Sequence, residues 1–187
     1  MAPEEIATIL KNEFGEAVTD VHVTGAHPHV TIKADAWPRV ARFLRDDRRL
    51  GFGWLRCISG VDLLEDNLFA AVYDLHAPAA PKDRHGLWSE RHEFAVKVKV
   101  PRDNPHIPSV ADVWPAADWH ERETYDLMGI VFDNHPDSVE GPEGRRPRRI
   151  LCAEDWEGHP LRKDYEFPME YHGIPCVTEY GQTRPQH

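Results

Sequence analysis

The sequence predicts an α+β domain: a mostly antiparallel sheet of about five strands, helices packed on one face, and an extended C-terminal arm. Three observations predict it. Apolar residues recur at helical spacing in two segments before residue 50, and at alternate positions in several segments between residues 20 and 100. These strand patterns adjoin through short links, which favours antiparallel pairing with the helices gathered on one side. Beyond Ile130 the apolar residues thin out, and Pro160, Pro168, Pro175 and Pro185 alternate with Gly158, Gly173 and Gly181. Residues 1–132 are therefore read as the core domain and 133–187 as the arm.

Pro3 suits a first helical turn, with Glu4 and Glu5 at the positive end of the helix. Ile6, Ile9, Leu10 and Phe14 then share one face, and Gly15 ends the helix. Asp20 to Thr24 alternates as a strand, Gly25 to Pro28 is turn-like, and Val30 and Ile32 alternate again, so a hairpin is expected. Asp35 is placed to cap a second helix whose apolar face carries Trp37, Val40, Phe43 and Leu44. Trp54–Ser59, Leu68–Leu75 and Leu87–Val100 read as three further strands, with His76–His85 as a loop between the last two. Pro101–Pro108, with three prolines, reads as loop, and Ser109 as the cap of a short helix, Val110–Trp114, interrupted by Pro115. Val131 and Phe132 suggest a short strand.

A third helix is expected from about Trp119 to Met128. Asp118 can serve as its N-cap with Glu121 as capping-box partner, and Gly129 can end it. Asp118, Arg122 and Asp126 stand four apart, so each acid can pair with the Arg along one face, worth roughly 0.2–0.5 kcal/mol a pair. Glu121, Arg122, Glu123 and Asp126 crowd charge onto this helix, and three readings of them stay open. They form a solvated face. They pair across an interface, where aromatics, Met and Arg such as Trp119, Tyr125 and Met128 are enriched. Or the carboxylates act as acid and base.

Composition narrows the choice. The 187 residues carry a net charge of −10, 41 % apolar residues and sixteen prolines, which suits one domain with a tail. An acidic chain is a poor general ligand for nucleic acid. The run Arg145-Arg146-Pro147-Arg148-Arg149 stands out against that background and reads as a contact to carboxylates on a partner. Cys57, Cys152 and Cys176 are far apart and form no C-x-x-C, so iron–sulfur and structural zinc spacings are not signalled and a reducing compartment is expected. The twelve histidines show no H-E-x-x-H, and no glycine-rich phosphate loop or G-x-S-x-G is present. The acidic opening Met1-Ala2-Pro3-Glu4-Glu5 reads as helix rather than signal or transit peptide, and no stretch reaches the ~18 apolar residues of a membrane span.

Several motifs then occur in a fixed order: Glu121-Arg122-Glu123; Asp126-Leu127-Met128-Gly129-Ile130; His135-Pro136; Arg148-Arg149-Ile150-Leu151; and Glu157-Gly158-His159-Pro160-Leu161-Arg162-Lys163-Asp164-Tyr165. Together they resemble the signature of the 30 kDa (C-type) subunit family of respiratory complex I, NADH:quinone oxidoreductase. Related subunits occur in membrane-bound hydrogenases. Three positions depart from the pattern. Ser138–Pro147 lies where the family passes almost directly into the Arg pair, and reads as a loop insertion at 138–147. Ala153 and Glu166 stand where many relatives have Pro.

The resemblance implies a peripheral-arm subunit with no redox centre, cofactor or metal of its own. NADH, FMN, quinone and iron–sulfur clusters would be held by partner subunits. It implies a hetero-oligomer on the cytoplasmic face of a bacterial inner membrane, reaching the membrane only through partners. Those are chiefly the large quinone-site subunit (D type) and the iron–sulfur subunits (B and I types). The isolated chain is not expected to be catalytic. The expected partner interface comprises Glu121, Arg122, Glu123, Asp126, Arg148, Arg149, Trp156, Glu157, His159, Leu161, Arg162, Lys163, Asp164 and Tyr165, with Phe167, Tyr171 and Tyr180 as further anchors. A metal-dependent hydrolase built on the carboxylates and histidines is the competing reading, and metal analysis of the pure chain discriminates it.

Overall fold

The computed structural model describes residues 1–78, 91–141 and 144–176. Helix α1 (Pro3–Phe14) opens the chain. Its first turn is closed by Glu5, whose Oε2 accepts the Ala2 N–H at 3.0 Å, and Gly15 stops it at φ +51°. Strands β1 (Val18–His22) and β2 (His29–Ile32) form the expected hairpin. Helix α2 (Trp37–Asp46) follows a single 3-10 turn at Ala34–Ala36. Asp35 lies inside that turn and makes no capping bond, so the expected cap is replaced by a tightened turn running straight into the helix.

Strands β3 (Trp54–Leu63), β4 (Leu68–Ala77) and β5 (His92–Pro101) run as an antiparallel meander. Part of the segment expected as the last strand, residues 87–90, lies outside the described residues, as does most of the loop before it. The sheet order is β1-β2-β5-β4-β3. One pairing departs from expectation: β2 runs parallel to β5, with Val30 beside Val96 and Ile32 beside Val98, so the sheet is mixed. The reason is the chain path. Helix α2 and the β3–β4 hairpin carry the chain across the sheet and back, so β5 enters beside β2 in the same direction.

The helices cover one face. Trp37 of α2 meets Tyr73 of β4 with ring centroids 4.4 Å apart, and Trp114 packs 6.2 Å from Trp37 while donating its indole N–H to the Phe52 carbonyl at 2.8 Å. Phe69, Tyr73, Leu75, Phe94, Val96 and Val98 line this face and are buried, together with Ile6 and Leu10 of α1. The stretch after Ser109 makes one hydrogen-bonded turn rather than a helix, with the N–H groups of Val113 and Trp114 both bonding the Val110 carbonyl before Pro115 ends it. Within the expected proline-rich loop, β6 (His106–Pro108) pairs in parallel with β7 (Val131–Asp133).

Helix α3 (Ala117–Met128) starts two residues earlier than expected. Its cap is Ala116 with no side-chain bond, so the Asp118–Glu121 capping box does not form. After β7, the segment expected as a loop insertion is a two-stranded hairpin, β8 (Ser138–Gly141) and β9 (Gly144–Pro147). Residues 148–169 contain no helix or strand, and β10 (Glu170–Tyr171) and β11 (Ile174–Pro175) form a small terminal hairpin. The expected anchor Tyr180 lies outside the described residues.

Candidate functional site

The site is the layer formed by α3 and the segment 148–165 lying over it. Gly60 of β3 lets α3 descend onto the sheet. A Cβ there would stand 2.8 Å from Met128 Cγ and 3.1 Å from Thr124 Cγ2. The buried face of α3 then carries two carboxylates, Glu121 and Asp126, both fully inaccessible. Asp126 does not form the helix-surface pair with Arg122 that spacing suggested, and Glu121 closes no capping box. A carboxylate facing inward finds its partners on other segments.

Glu121 Oε1 accepts the Val110 N–H at 2.8 Å, and its Oε2 accepts the Ser109 hydroxyl at 2.5 Å. The side chain therefore ties the turn after β6 to the helix. Burial pushes its carboxyl up to about 8, against the opposing pull of the Ser109 and Val110 bonds. Buried His135 stands alongside, donating Nε2–H to the Asp118 carbonyl at 3.0 Å and accepting the Asp137 N–H on Nδ1 at 3.1 Å.

Asp126 anchors the arm. Its Oδ2 accepts three successive backbone N–H groups, from Ile150 at 3.0 Å, Leu151 at 2.7 Å and Cys152 at 2.8 Å. Its Oδ1 pairs with Arg149 Nη1 at 2.9 Å. Burial alone would raise this carboxyl. The three backbone bonds, joined by a bond from the Cys152 side chain, outweigh it and hold it below the usual carboxylate range. Arg122, expected to pair along the helix, reaches the same segment of the arm. It donates to the carbonyls of Arg148 at 3.1 Å and Arg149 at 3.2 Å, and its Nη1 stands 3.4 Å from Asp137.

A helix end leaves its last carbonyls without intrahelical donors. Here the arm supplies them. The Tyr125 carbonyl takes the Gly129 N–H at 2.7 Å, the turn closing at φ +75° as glycine allows. The Asp126 carbonyl takes His159 Nδ1–H at 2.9 Å, the Leu127 carbonyl takes the Leu161 N–H at 3.0 Å, and the Met128 carbonyl takes Arg162 Nε–H at 2.8 Å. His159 is desolvated and lies near Arg162 and Arg149, and its imidazolium form is disfavoured down to about 4. It is thus a neutral ring with the proton fixed on Nδ1.

A second bracket closes the arm onto the sheet. Arg102, at the end of β5, bonds Asp62 of β3 and pairs with both oxygens of Asp164 at 2.6 Å. Asp62 Oδ2 also accepts the Lys163 N–H at 2.9 Å. The guanidiniums of Arg102 and Arg162 lie 4.6 and 4.9 Å from the centre of the Phe69 ring. Asp62 and Arg102 escaped sequence reasoning, whereas Ser109 was read as a helix cap and His135 as a motif residue rather than as partners of α3. The one signal for Asp62 was a carboxylate in register with Ile58 and Gly60 on a strand, and it becomes readable only once the inward face is known.

The structure therefore divides the residues expected at a partner interface. Glu121 and Asp126 are inaccessible and bond their own chain. Arg122, Arg149, His159 and Arg162 are tied to the same layer. Glu123, Glu157, Leu161, Lys163 and Asp164 are exposed, as is Arg148, which pairs with Asp137 at 3.1 Å. Trp156 is half-buried, its ring 5.1 Å from that of Tyr171, and half-buried Tyr165 donates its hydroxyl to the Glu157 carbonyl at 3.0 Å. These two rings line a cavity of about 590 Å³ on the arm. Among the described residues, no three His, Cys, Asp or Glu side chains gather as metal ligands.

Residues 30–171 match the family described as respiratory-chain NADH dehydrogenase, 30 Kd subunit. The chain is 44 % identical over 174 residues to the C-type subunit of NADH-quinone oxidoreductase from Chloroherpeton thalassium, covering 92 % of this chain and 65 % of that protein. It is 42 % identical over 167 residues to the corresponding subunit of Chlorobium phaeobacteroides, covering 89 % and 90 %. That of Mycobacteroides abscessus is 39 % identical over 165 residues, of which this chain spans 64 %. It thus spans just under two thirds of the first and third relatives and nine tenths of the second. A solved trypsin-resistant fragment of Nqo5 matches at 32 % identity and a TM-score of 0.55, over 71 % of this chain and 98 % of that one. A chain of the membrane-bound sulfane sulfur reductase, an archaeal respiratory membrane complex, shares the fold at a TM-score of 0.69 and 20 % identity, over 98 % of each chain.

Proposed function

The chain belongs to the respiratory-chain NADH dehydrogenase 30 kDa subunit family, and from that premise we propose that it is a non-redox bracing subunit of a proton-translocating NADH:quinone oxidoreductase. In this reading it sits in the peripheral arm and steadies the quinone-reducing connecting module. Its neighbours are the large quinone-site subunit and the adjoining iron–sulfur subunits, which hold the electron-carrying groups. It faces the cytoplasm of a bacterium and meets the membrane through those partners. No helix of the described residues is long and apolar enough to cross a membrane.

The observation that carries the proposal is the use made of the charged side chains. Asp126, Arg122, His159, Arg162, Asp62 and Arg102 all bond an irregular segment of the same chain. A segment with no core of its own is held flat in one conformation, with Leu161 and Trp156 presented along it. Preordering of this kind lowers the entropy lost when a partner binds.

A related membrane-bound complex is the second reading, supported by the fold shared with the sulfane sulfur reductase chain. One experiment separates the two: affinity isolation of the chain from native membrane extract, with identification of co-purifying subunits and an NADH:quinone assay on the eluate. Quinone-site and iron–sulfur subunits with that activity support the proposal. Hydrogenase or sulfur-reducing subunits without it support the second reading. A chain eluting alone with stoichiometric metal overturns both.

A further inference from the structure

Four arginines converge on one cavity at the seam between the β8–β9 hairpin, the C-terminal end of α3 and the arm. The cavity holds about 410 Å³, and its lining includes Arg102, Arg145, Arg146 and Arg162, with Asp103 as the carboxylate among its described residues. Two of the guanidiniums have partners within the chain. Arg102 bonds Asp62 and Asp164, and Arg162 donates to the Met128 carbonyl. The guanidiniums of Arg145 and Arg146 have no hydrogen bond or ion pair among the described residues, and Arg146 only lies over the Tyr125 ring, 5.6 Å from its centre.

The run Arg145-Arg146-Pro147-Arg148-Arg149 is thereby split. Arg148 and Arg149 pair with Asp137 and Asp126. The hairpin's strand β9 holds the other two over the cavity. In a chain of net charge −10, this is a local excess of positive charge. Like charges gathered in a recess focus the field onto an incoming anion. Guanidinium forks match the two oxygens of a carboxylate, and Arg145 is exposed, so the positive strip continues from the recess onto the surface. A strip of that shape suits successive acidic side chains on a peptide better than a single ion.

We propose that this cavity is the docking site for an acidic segment of a partner subunit, whose Asp or Glu carboxylates take the forks of Arg145 and Arg146. The proposal rests on the assembly reading above and names the chemistry of one contact within it.

Carbodiimide coupling tests it. The reagent joins an amine to a carboxylate in close contact, forming an amide while the carboxylate oxygen leaves with the reagent as its urea. Arginine does not react. Arg145→Lys and Arg146→Lys therefore place a reactive amine at each fork in the intact assembly isolated from membranes. The expected result is a new amide to an Asp or Glu of another subunit, located by mass spectrometry of the linked peptides and absent from the unsubstituted protein. Retention of an Arg145→Glu/Arg146→Glu chain in the assembly should fall at least tenfold.

Links confined to the chain's own Asp103, or no link in an assembly that contains the chain, overturn the proposal. So does saturable binding of inorganic phosphate to the isolated full chain that is lost in Arg145→Ala/Arg146→Ala, since that assigns the recess to a small oxyanion. If oxidoreductase subunits co-purify but no such link forms, the docking site fails and the assembly reading stands. If the link runs to an acidic segment of a protein outside such an assembly, the assembly reading fails and the docking site stands.

Discussion

Glu121 and His159 titrate in opposite senses, and together they set how stability follows pH. Glu121 binds its proton more tightly folded, up to about 8, than unfolded near 4.5. Its contribution is fully present below the unfolded value and is lost as pH rises through 8. His159 binds its proton less tightly folded, at about 4, than unfolded near 6.5. Its contribution is present above 6.5 and is lost as pH falls toward 4. Between about 4.5 and 6.5 the two slopes oppose each other. Above 6.5 Glu121 acts alone, so stability should decline toward pH 8 by at most about 1.4 kcal/mol per pH unit. Glu121→Gln should flatten that decline, as urea unfolding at pH 6.5 and 7.5 would read. Asp126→Asn leaves Arg149 without its carboxylate and weakens three backbone bonds. A loss of about 3 kcal/mol is expected, checked by the same unfolding midpoints. Sequence spacing picked out Glu121, Arg122 and Asp126 but misassigned their partners. The i to i+4 rule treats a helix as isolated in water, whereas this one lies under Ser109 on one side and under residues 148–152 on the other.

The end of α3 is a joint between two elements, and Gly129 is its hinge pin. An alanine there takes a left-handed φ that costs roughly 1–2 kcal/mol, and its Cβ would collide with the Arg162 guanidinium and stand 2.5 Å from His159 Cδ2. Gly129→Ala should therefore release the arm while sparing the sheet. Limited trypsin digestion should cut near Arg148, Arg149 and Arg162 several-fold faster than in the unsubstituted chain, leaving the N-terminal domain whole. At this scale the sequence was readable wherever period and punctuation agreed: α1, α2, the first hairpin and the helix ending at Gly129 stand close to their expected places. The parallel pairing of β2 with β5 was not readable, because short links say which strands are consecutive and not which become neighbours across the sheet. The hairpin at 138–147 was read as loop for a related reason. Its strands are four residues each and mostly charged or small, too short to show a period.

Across the whole molecule, Arg102, Arg122, Arg149 and Arg162 help tie residues 148–165 to α3 and the end of β5. Arg122→Ala removes two bonds to arm carbonyls, worth about 1 kcal/mol each. Arm accessibility in the isolated chain and the amount of assembled complex should then change together, by roughly tenfold. Hydrogen exchange on residues 148–152 and quantitation of co-purified subunits would check the pair. Assembly falling without any loosening of the arm would place the contact of Arg122 on a partner instead. The mixed sheet has a consequence for synthesis on the ribosome. His29 pairs with Ala95, 66 positions later, so β2 leaves the exit tunnel well before its central neighbour exists. At about 5–20 residues per second the gap lasts roughly 3–13 s. During it one edge of β2, with Val30 and Ile32, is open to any strand that passes. The nascent chain is therefore most exposed to mispairing before β5 emerges, and translational pausing within β3 or β4 should raise aggregation more than the same pause after residue 101.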